Sequence, residues 1–421
     1  MNPLINELKD FATKKHIADN VYIVGGAVRD MLSGVDTKDI DLAVAGDALK
    51  ISKEFAEASA GTYVLLDSEF MTARVVKDSF SLDISAMRGD SIISDLSQRD
   101  ITINAMAQPL LALQSRDHII DPFGGHADLQ SGIIRMVSVK NLISDPLRIL
   151  RIYRFSAALH SRIEKETSHS VKKHGELLKG VAVERIAEEL RNITALPDSH
   201  KIMDVMEENN IVTVLFPEFQ GLHGISIRQG IECWRRGEVI LGNPDRYFPG
   251  RGPNFSAYFK SRGRVTCLKL AELFSGDSVA QKAALRLKMS RKEAGLIVGI
   301  STGYKNLVSL FRTGSGKTEL LRFLKDTQDD FYPIAVLAVS LDDAFIDLCN
   351  WAFSLYIDEV IPRLGRLRLI TGDDLIREFG LSPSPQFKRI LSLLEDDILL
   401  GKVSTREEAL RAVSEVLAKD R

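Results

Sequence analysis

The segment that most constrains this chain is VYIVGGAVRDMLSGVDTKDIDLAVA, residues 21–45. It predicts a strand, a glycine turn, a short helix, a loop and a second strand. Within the second strand Asp39 and Asp41 are two residues apart, so both carboxylates project from one face and the apolar residues from the other. Two such carboxylates repel each other unless a cation lies between them. Mg²⁺ prefers these oxygen ligands and usually binds together with substrate phosphates.

The glycine turn of the same segment predicts a phosphate cradle. Gly25 and Gly26 let the backbone approach a ligand because neither carries a Cβ. The helix predicted at 27–32 offers its N-terminal N–H groups to an anion, and Arg29 lies in its first turn. Each half of the segment is a weak signal alone, since a carboxylate pair on a strand is most often a solvated face. Joined by one short loop, they favour a phosphate cradle beside a metal-binding strand.

Length and composition limit the class of protein. A chain of 421 residues should hold more than one domain, and its 45% hydrophobic and 27% charged residues are typical of a soluble globular protein. The net charge is −2, so any basic surface for nucleic acid must be local. The three cysteines show no C-x-x-C spacing, which favours neither disulfides nor zinc. Without a signal peptide or a long apolar run, we expect a cytoplasmic protein that makes no membrane contact.

The element pattern predicts an α+β fold. Helices are predicted at 1–17 and 48–60, and short strands at 63–66, 72–77 and 81–85. Short connections between strands favour a mixed or antiparallel sheet over a doubly wound parallel one. From about residue 200 onward the apolar spacing is helical, with a Pro/Gly-rich loop predicted at 243–253.

Asp83 is a candidate third carboxylate. It alternates with apolar residues in the strand predicted at 81–85, and a sheet could place it beside Asp39 and Asp41. Phosphoryl transfer with two metal ions needs several acidic ligands. The alternative, a polar residue on the outer face of the strand, is the more common situation.

The motifs resemble those of one family. G-G-A-V-R-D followed by K-D-I-D-L resembles the first motif of the CCA-adding tRNA nucleotidyltransferases of class II, which also include bacterial poly(A) polymerases. The stretch DLSQRDITINA is similar to the second motif, with Arg99, Asp100 and Asn104 matching and Gln98 and Ile101 departing from it. The resemblance implies that Arg99 contacts a phosphate or sugar oxygen, Asp100 orients that arginine, and Asn104 contacts a ribose hydroxyl.

The stretch SDPLRILRIYRF, which starts at Ser144, is similar to the fourth motif of the family. In the family an Asp and an Arg of this motif read the edge of the incoming base as a template strand would. The resemblance therefore assigns base selection to Asp145 and Arg148, with Arg151 and Arg154 behind them. Ser144 replaces the usual glutamate. We expect Asp145 to be the N-cap of a helix that starts at the following proline.

Three further stretches complete the comparison of motifs. DPFGGHADLQSGIIR is similar to a third motif and is expected to be structural, while VAVERIAEEL resembles a fifth motif in which Glu184, Arg185 and Glu189 stiffen helices through ion pairs. The segment between Arg88 and Asp95 is short. In the family a missing loop there is associated with enzymes that add only CC, and some relatives with a short loop add only A, so the resemblance is compatible with partial addition and leaves CC, A and CCA open.

GSGKT, residues 314–318, invites comparison with a P-loop. The P-loop pattern requires a glycine at position 311, where this chain has Phe311. No strand is predicted before the segment. We therefore expect a loop and a helix start rather than an NTPase site.

These patterns divide the chain into four predicted domains. They are a catalytic head (1–140), a helical neck with the nucleotide-selecting motif (141–200), a helical body (201–330) and a helical tRNA-binding tail (331–421). In the tail, Arg377, Lys388 and Arg389 are candidates for contact with tRNA phosphates. A solvated helical face is the equal alternative for each of them.

The resemblance implies a template-independent enzyme that adds C, A or both from CTP and ATP to the 3′ end of tRNA and releases pyrophosphate. Two Mg²⁺ ions held by Asp39 and Asp41 would activate the tRNA 3′ hydroxyl and stabilise the leaving group. Three alternatives remain open. They are a bacterial poly(A) polymerase, a non-catalytic RNA-binding protein on a transferase fold, and a P-loop NTPase.

Overall fold

The protein is described from a computed structural model that covers residues 3–36, 38–69, 71–113, 118–220, 226–277, 279–314 and 316–419. Its internal contacts form two compact units. The first unit is Met1–Leu196 with Lys201–Leu215, and the second is Pro197–His200 with Phe216–Arg421. The predicted four-domain division does not follow these two units, since residues 201–215 of the predicted body belong to the first unit, and it stays a prediction.

The first unit is built on a six-stranded sheet. Its strands are β1 (Val21–Val24), β2 (Asp39–Val44), β3 (Thr62–Asp67), β4 (Thr72–Lys77), β5 (Phe80–Ala86) and β6 (Ala107–Pro109), in the spatial order β3-β4-β5-β2-β1-β6. β2 and β5 are parallel and the other neighbours are antiparallel. The sheet is therefore mixed, which confirms the predicted α+β fold.

β2 shows the alternation that the sequence predicts. Asp39 and Asp41 are exposed, whereas Ile40 and Leu42 are buried in the core beneath the sheet. That core also contains apolar residues of α1 (Pro3–Lys14) and α3 (Ala48–Ser59). On the opposite face Ala43 is buried against α4, and only the part of the strand that carries the two carboxylates is exposed.

The first unit contains nine further α-helices among its described residues. They are α2 (Gly26–Leu32), α4 (Ile92–Ser97), α5 (Gly125–Gln130), α6 (Val139–Ser144), α7 (Arg148–Ala158), α8 (Lys165–His174), α9 (Val183–Thr194), most of α10 (Ser199–Glu208), and α11 (Ile211–Leu215). Two short strands, β7 (Ile133–Ile134) and β8 (Arg162–Ile163), pair in parallel. β8 is a two-residue exception in the otherwise helical segment predicted as the neck.

The second unit is helical throughout its described residues. Its helices are α12 (Ile227–Gly242), α13 (Pro244–Tyr247), α14 (Gly252–Tyr258), α15 (Arg262–Leu273), α16 (Val279–Arg286), α17 (Arg291–Thr313), α18 (Lys317–Thr327), α19 (Phe331–Leu341), α20 (Ile346–Leu355), α21 (Ile361–Leu364), α22 (Gly372–Phe379), α23 (Pro385–Leu399) and α24 (Arg406–Lys419). A π-helical turn, Tyr356–Val360, joins α20 to α21. The last three helices share a core of their own around Leu375 and Ile398.

The loop predicted at 243–253 is wrong in part, because α13 and the start of α14 lie within it. Both helices have a proline in the first turn, where the missing N–H costs nothing and the fixed φ suits a helix. Among the described helices, none combines the length and the hydropathy needed to cross a bilayer.

Candidate active site

The carboxylates of β2 lie at the centre of the sheet. Asp41 pairs in register with Val24 at the end of β1 and with Asp83 of β5, and Asp39 pairs with Ser81. The Ser81 hydroxyl donates to Asp39 Oδ1 at 2.6 Å. In-register residues of neighbouring strands share a face, so the three carboxylates project from the same side of the sheet.

The glycine turn closes over this face. Gly25 has φ +69°, a left-handed conformation that favours glycine. A Cβ built on Gly25 would lie 2.9 Å from Arg99 Nη1 and 3.5 Å from Asp41 Oδ2. The turn, one of the predicted metal ligands and the predicted phosphate-binding arginine therefore converge on one point.

Gly25→Ala is expected to raise the KM for the nucleotide roughly tenfold. The added methyl group would be strained at positive φ, at a cost of about 1 kcal/mol, and it would also displace Arg99. Steady-state kinetics with CTP and ATP measure the effect. Gly34→Ala is the matched control, since Gly34 has φ +72° with no neighbour within 4 Å of a built Cβ. Equal KM values in the two variants would contradict the predicted role of the close approach.

The electrostatic balance at Asp41 is set by opposing groups. Desolvation within the site and the negative charge of Asp83 raise the pKa of Asp41, while the positive charges of Arg99, Arg74 and Arg151 act in the opposite direction. Desolvation is the larger cause, so the charged form of Asp41 is poorly solvated in this site. Such a carboxylate gains from a nearby cation.

Asp83 is bound by an arginine on the neighbouring strand. Arg74 Nε donates to Asp83 Oδ1 at 2.6 Å and Arg74 Nη2 donates to Oδ2 at 2.8 Å. This bidentate pair uses both carboxylate oxygens. The predicted metal-ligand role of Asp83 stays a prediction, and Arg74 is a residue of the site that the sequence reading missed.

Arg99 is oriented by Asp95 rather than by Asp100, so the predicted partner was wrong. Asp95 Oδ2 accepts from Arg99 Nη2 at 2.9 Å and from Nε at 3.1 Å. Asp95 precedes Arg99 by four residues at the end of a helix, the spacing at which side chains meet. That spacing could have identified Asp95 from the sequence.

Asp100 instead binds Arg151, far away in the sequence. Arg151 Nε donates to Asp100 Oδ2 at 2.8 Å, and Asp100 Oδ1 accepts from the Ile101 N–H at 2.9 Å. The positive charge of Arg151 and these hydrogen bonds lower the pKa of Asp100 against the effect of its burial. This pair joins the second motif to α7.

Asn104 is buried and faces Arg29. Arg29 Nη1 donates to Asn104 Oδ1 at 2.8 Å, and Arg29 Nε donates to Asp30 Oδ1 at 2.9 Å. The amide oxygen of Asn104 thus fixes Arg29 beside the glycine turn. Contact of Asn104 with a ribose stays a prediction.

The predicted base-reading pair is held by a third residue. Arg185 Nη1 lies 3.2 Å from Asp145 Oδ1, and Arg185 Nη2 donates to Asp145 Oδ2 at 3.2 Å. Arg148 Nε is 3.8 Å from Asp145 Oδ2, and Arg148 Nη1 donates to the Arg99 carbonyl at 3.2 Å. Arg185 was predicted only to stiffen a helix, yet its guanidinium contacts both carboxylate oxygens of Asp145.

Arg185→Ala is expected to raise the KM for CTP or ATP about fivefold to tenfold, since Asp145 would lose a bidentate partner that is partly exposed to solvent. Arg185→Lys keeps the positive charge but loses the planar pair of N–H donors, so it should give an intermediate KM. Nucleotide titrations at saturating tRNA measure both values. An unchanged KM in Arg185→Ala would mean that this contact does not position Asp145.

The start of α7 differs from the prediction. Leu147 is its N-cap, and Asp145 ends α6 in a non-helical conformation with φ −139° and ψ 89°. The proline ring keeps Asp145 out of the α region, as at an N-cap, but the Arg148 and Ile149 N–H groups bond to carbonyls three residues back, and the four-residue bonds of α7 begin only at Leu147. Asp145 lines the cavity described below.

Arg154 does not line the cavity that is described in the next paragraph. It forms an ion pair with Glu189 at 2.8 Å, and its guanidinium stands 4.4 Å from the centre of the Phe155 ring. Arg29 and Arg151 also approach that ring, each at 5.4 Å. Glu189 therefore forms the predicted ion pairs between α9 and α7, and its stiffening of the helices stays a prediction.

A cavity of about 350 Å³ joins these groups within the first unit. Its walls include the predicted residues Asp41, Arg99, Asp100, Asp145, Arg148 and Arg151, together with Arg88, Asp95 and Arg185. The volume suits a nucleotide. One acidic corner and several arginines in one cavity can bind a polyphosphate and a divalent cation.

One other group in the described part of the chain has the composition of a metal site. Ligand atoms of Asp198, His200 and Glu238 lie within 4.8 Å of one another. Glu238 already accepts from Ser199, from the His200 ring at 2.5 Å and from Lys269 at 2.5 Å. A carboxylate saturated by donors, one of them a buried ammonium, has no oxygen left for a metal.

The segment that invites comparison with a P-loop follows a helix. α17 ends at Thr313 with Gly314 as its C-cap, and α18 begins at Lys317. Lys317 forms an ion pair with Glu359 at 2.6 Å. The strand that a P-loop requires is not present before these described residues, as predicted.

The tail candidates lie on helices of the second unit. Arg377 forms an ion pair with Asp374 at 2.6 Å, whereas Lys388 and Arg389 are exposed on α23. Their contact with tRNA stays a prediction.

Parts of the chain match known domain families. Residues 21–135 match the family model described as "Poly A polymerase head domain", and residues 367–413 match a model of tRNA nucleotidyltransferase domain 2. These matches relate the chain to the tRNA nucleotidyltransferase/poly(A) polymerase family. Residues 162–222 also match the family's "Probable RNA and SrmB- binding site of polymerase A".

Members of this family resemble the chain over nearly its whole length. A CC-adding tRNA nucleotidyltransferase of Synechocystis sp. is 28% identical, covering 94% of this chain and 93% of that protein. An A-adding tRNA nucleotidyltransferase of Halalkalibacterium halodurans is also 28% identical, covering 98% and 92%. A CCA-adding enzyme in complex with CTP superimposes with a TM-score of 0.73 at 25% identity, covering 99% and 96%.

Proposed function

We propose that this chain is a template-independent tRNA nucleotidyltransferase that adds C, A or both from CTP and ATP to the 3′ end of tRNA and releases pyrophosphate. The observation that carries the proposal is the convergence of Asp41, Arg99 and the Asp145–Arg148 pair on one cavity. Whole-length similarity to CC-adding and A-adding enzymes supports the substrate class. Similar CCA-adding structures include complexes with ATP, CTP and tRNA.

We propose Asp39 and Asp41 as the ligands of Mg²⁺. Two exposed carboxylates on one strand face, with the pKa of Asp41 raised by desolvation and by Asp83, form a donor set that fits a hard divalent cation. Mg²⁺ bound there supplies positive charge that lowers the pKa of the tRNA 3′ hydroxyl and stabilises the pyrophosphate. Asp83 would join the ligands only by exchanging its hydrogen bonds with Arg74.

The other residues bind and orient the nucleotide. Gly25 admits the triphosphate because it has no Cβ, and Arg99, held by Asp95, presents its guanidinium to the phosphates. Asn104 keeps Arg29 beside the same turn. These groups fix the reacting phosphate without contacting the base.

Base selection follows from hydrogen-bond chemistry. Cytosine and adenine each present an amino group beside a ring nitrogen that accepts, whereas uracil and guanine present a carbonyl beside an N–H. Asp145 accepts from the amino group and Arg148 donates to the ring nitrogen. One pair of side chains therefore selects both C and A and rejects U and G.

Three tRNA substrates test this function. The purified protein is incubated with tRNAs that end before CCA, after C and after CC, with each nucleoside triphosphate separately. Incorporation of C or A that stops within CCA is the expected result, and the short connection at 87–91 favours a partial product. A long adenosine ladder would indicate a poly(A) polymerase. tRNA binding without incorporation would indicate a non-catalytic RNA-binding protein.

A further inference from the structure

A basic cavity of about 380 Å³ lies in the second unit, between α12, α13 and the start of α20. Three arginines contribute to its walls, Arg235, Arg236 and Arg246, against one carboxylate, Asp343. The net charge of the whole chain is −2, so a concentration of arginine in one cavity is a local feature. Such a wall attracts an anion.

The three arginines differ in how far their charge is already neutralised. Arg235 binds Glu232 at 2.7 Å, and Arg236 binds Asp343 as well as the Val339 carbonyl. Arg246 is exposed, and among the residues that the structure describes no carboxylate lies within ion-pair distance of its guanidinium. Arg246 is therefore the cation in this wall that is most available to a ligand.

The cavity also offers an apolar surface beside that charge. The Arg246 guanidinium stands 5.9 Å from the centre of the Tyr247 ring, and Val239 is 44% exposed. Asn350 fixes the backbone here by donating to the Tyr247 carbonyl at 2.9 Å. A cationic groove with an aromatic face is the combination that binds a nucleotide unit of RNA, since the phosphate pairs with arginine and the base stacks on the ring.

We propose that this basic cavity is an RNA-contact site that binds one backbone phosphate of tRNA through Arg246 and Arg236, with Tyr247 against the adjoining base. The proposal rests on the proposed function for the identity of the RNA. It assigns a tRNA contact to α12 and α13, in addition to the tail residues predicted from the sequence. The site affects tRNA affinity and leaves nucleotide chemistry unchanged.

Salt dependence of tRNA binding tests the site. Binding of a tRNA that lacks CCA is measured by filter retention at several salt concentrations, for the full-length protein and for Arg246→Ala. The affinity falls as salt rises, and loss of one phosphate contact should make this plot of log affinity against log salt less steep by about 0.7–0.9. It should also weaken binding several-fold at low salt. Arg246→Glu should weaken binding further. The kcat at saturating tRNA and the KM for CTP should stay unchanged.

Lys282→Ala is the matched control, because Lys282 is an exposed cation on α16 of the same unit that lies outside this cavity. A second variant, Tyr247→Ala, should lower tRNA affinity roughly fivefold or more without changing the slope, since stacking carries no charge. Circular dichroism checks that each variant is folded. If the salt dependence of tRNA binding is the same in Arg246→Ala as in Lys282→Ala, the proposal is overturned.

Two further outcomes separate the possible sources of phosphate. If inorganic phosphate or CTP stabilises the protein against heat and loses that effect in Arg246→Ala, while tRNA binding is unchanged, the cavity binds small anions and the RNA assignment fails. If the unaltered protein does not bind tRNA, the proposed function fails and the RNA assignment fails with it. If the unaltered protein binds tRNA but Arg246→Ala has the same salt dependence, the cavity is not an RNA-contact site and the proposed function is unaffected.

Discussion

Asp41→Asn is expected to lower nucleotide incorporation at least a thousandfold, while tRNA affinity stays within about twofold. The substitution keeps the shape of the side chain but removes the negative charge that would bind Mg²⁺, and a metal ion contributes several kcal/mol to stabilising charge in phosphoryl transfer. A loss of about 4 kcal/mol corresponds to a factor of one thousand in rate. Asp39→Asn should show a loss of similar size, since both carboxylates project from the same face of β2.

Single-turnover incorporation of labelled nucleotide at varied Mg²⁺, together with filter binding of tRNA, measures this effect. Asp10→Ala is the matched control, because Asp10 is an exposed acid on α1, on the part of the helix that does not enter the core. Incorporation at one tenth or more of the normal rate in Asp41→Asn would exclude this carboxylate as an essential ligand. Equal loss of tRNA binding would point to unfolding instead.

Arg148→Ala is expected to reduce discrimination against UTP and GTP by roughly tenfold to a hundredfold. A pair of hydrogen bonds to a base edge is worth about 1–3 kcal/mol of discrimination. Without the guanidinium, Asp145 can still accept from an amino group, but no donor remains to reject a ring N–H. We therefore expect kcat/KM for CTP or ATP to fall while the values for UTP and GTP change little.

Competition between nucleoside triphosphates on one tRNA measures the preference directly. Arg162→Ala, at an exposed position of β8 outside the walls of the cavity, should leave the preference unchanged. tRNA affinity of Arg148→Ala should also stay nearly unchanged. A preserved nucleotide preference would remove Arg148 from base selection and leave it as a partner of the Arg99 carbonyl.

Most of the architecture of the first unit could be predicted because it depends on local patterns. β4 occupies 72–77 and α3 begins at Ala48, as predicted. The helix start at Pro146 was wrong by two residues, because the chain first forms a tighter turn in which the Arg148 and Ile149 N–H groups bond to carbonyls three residues back.

The sequence predicted several residues that line one cavity, among them Asp41, Arg99 and Arg148, but it did not predict how the charged side chains pair. Arg99 was identified, but its partner is Asp95, and Asp100 binds Arg151 across the unit. A carboxylate can bind any arginine that the fold brings near it. The spacing of four residues indicates the Asp95–Arg99 pair, but the Asp100–Arg151 pair joins residues 51 positions apart and depends on distances in space that no spacing in the sequence records.

The sequence by itself determined that Asp39 and Asp41 share one face of a strand after a glycine turn, because the alternation of side chains along a strand is a local property of the backbone. The tertiary structure decided what surrounds them. The parallel pairing of β2 with β5 places Asp83 beside Asp41, and the packing of α9 brings Arg185 onto Asp145. Contacts of this kind join residues about forty positions apart, so they exist only once the chain has folded.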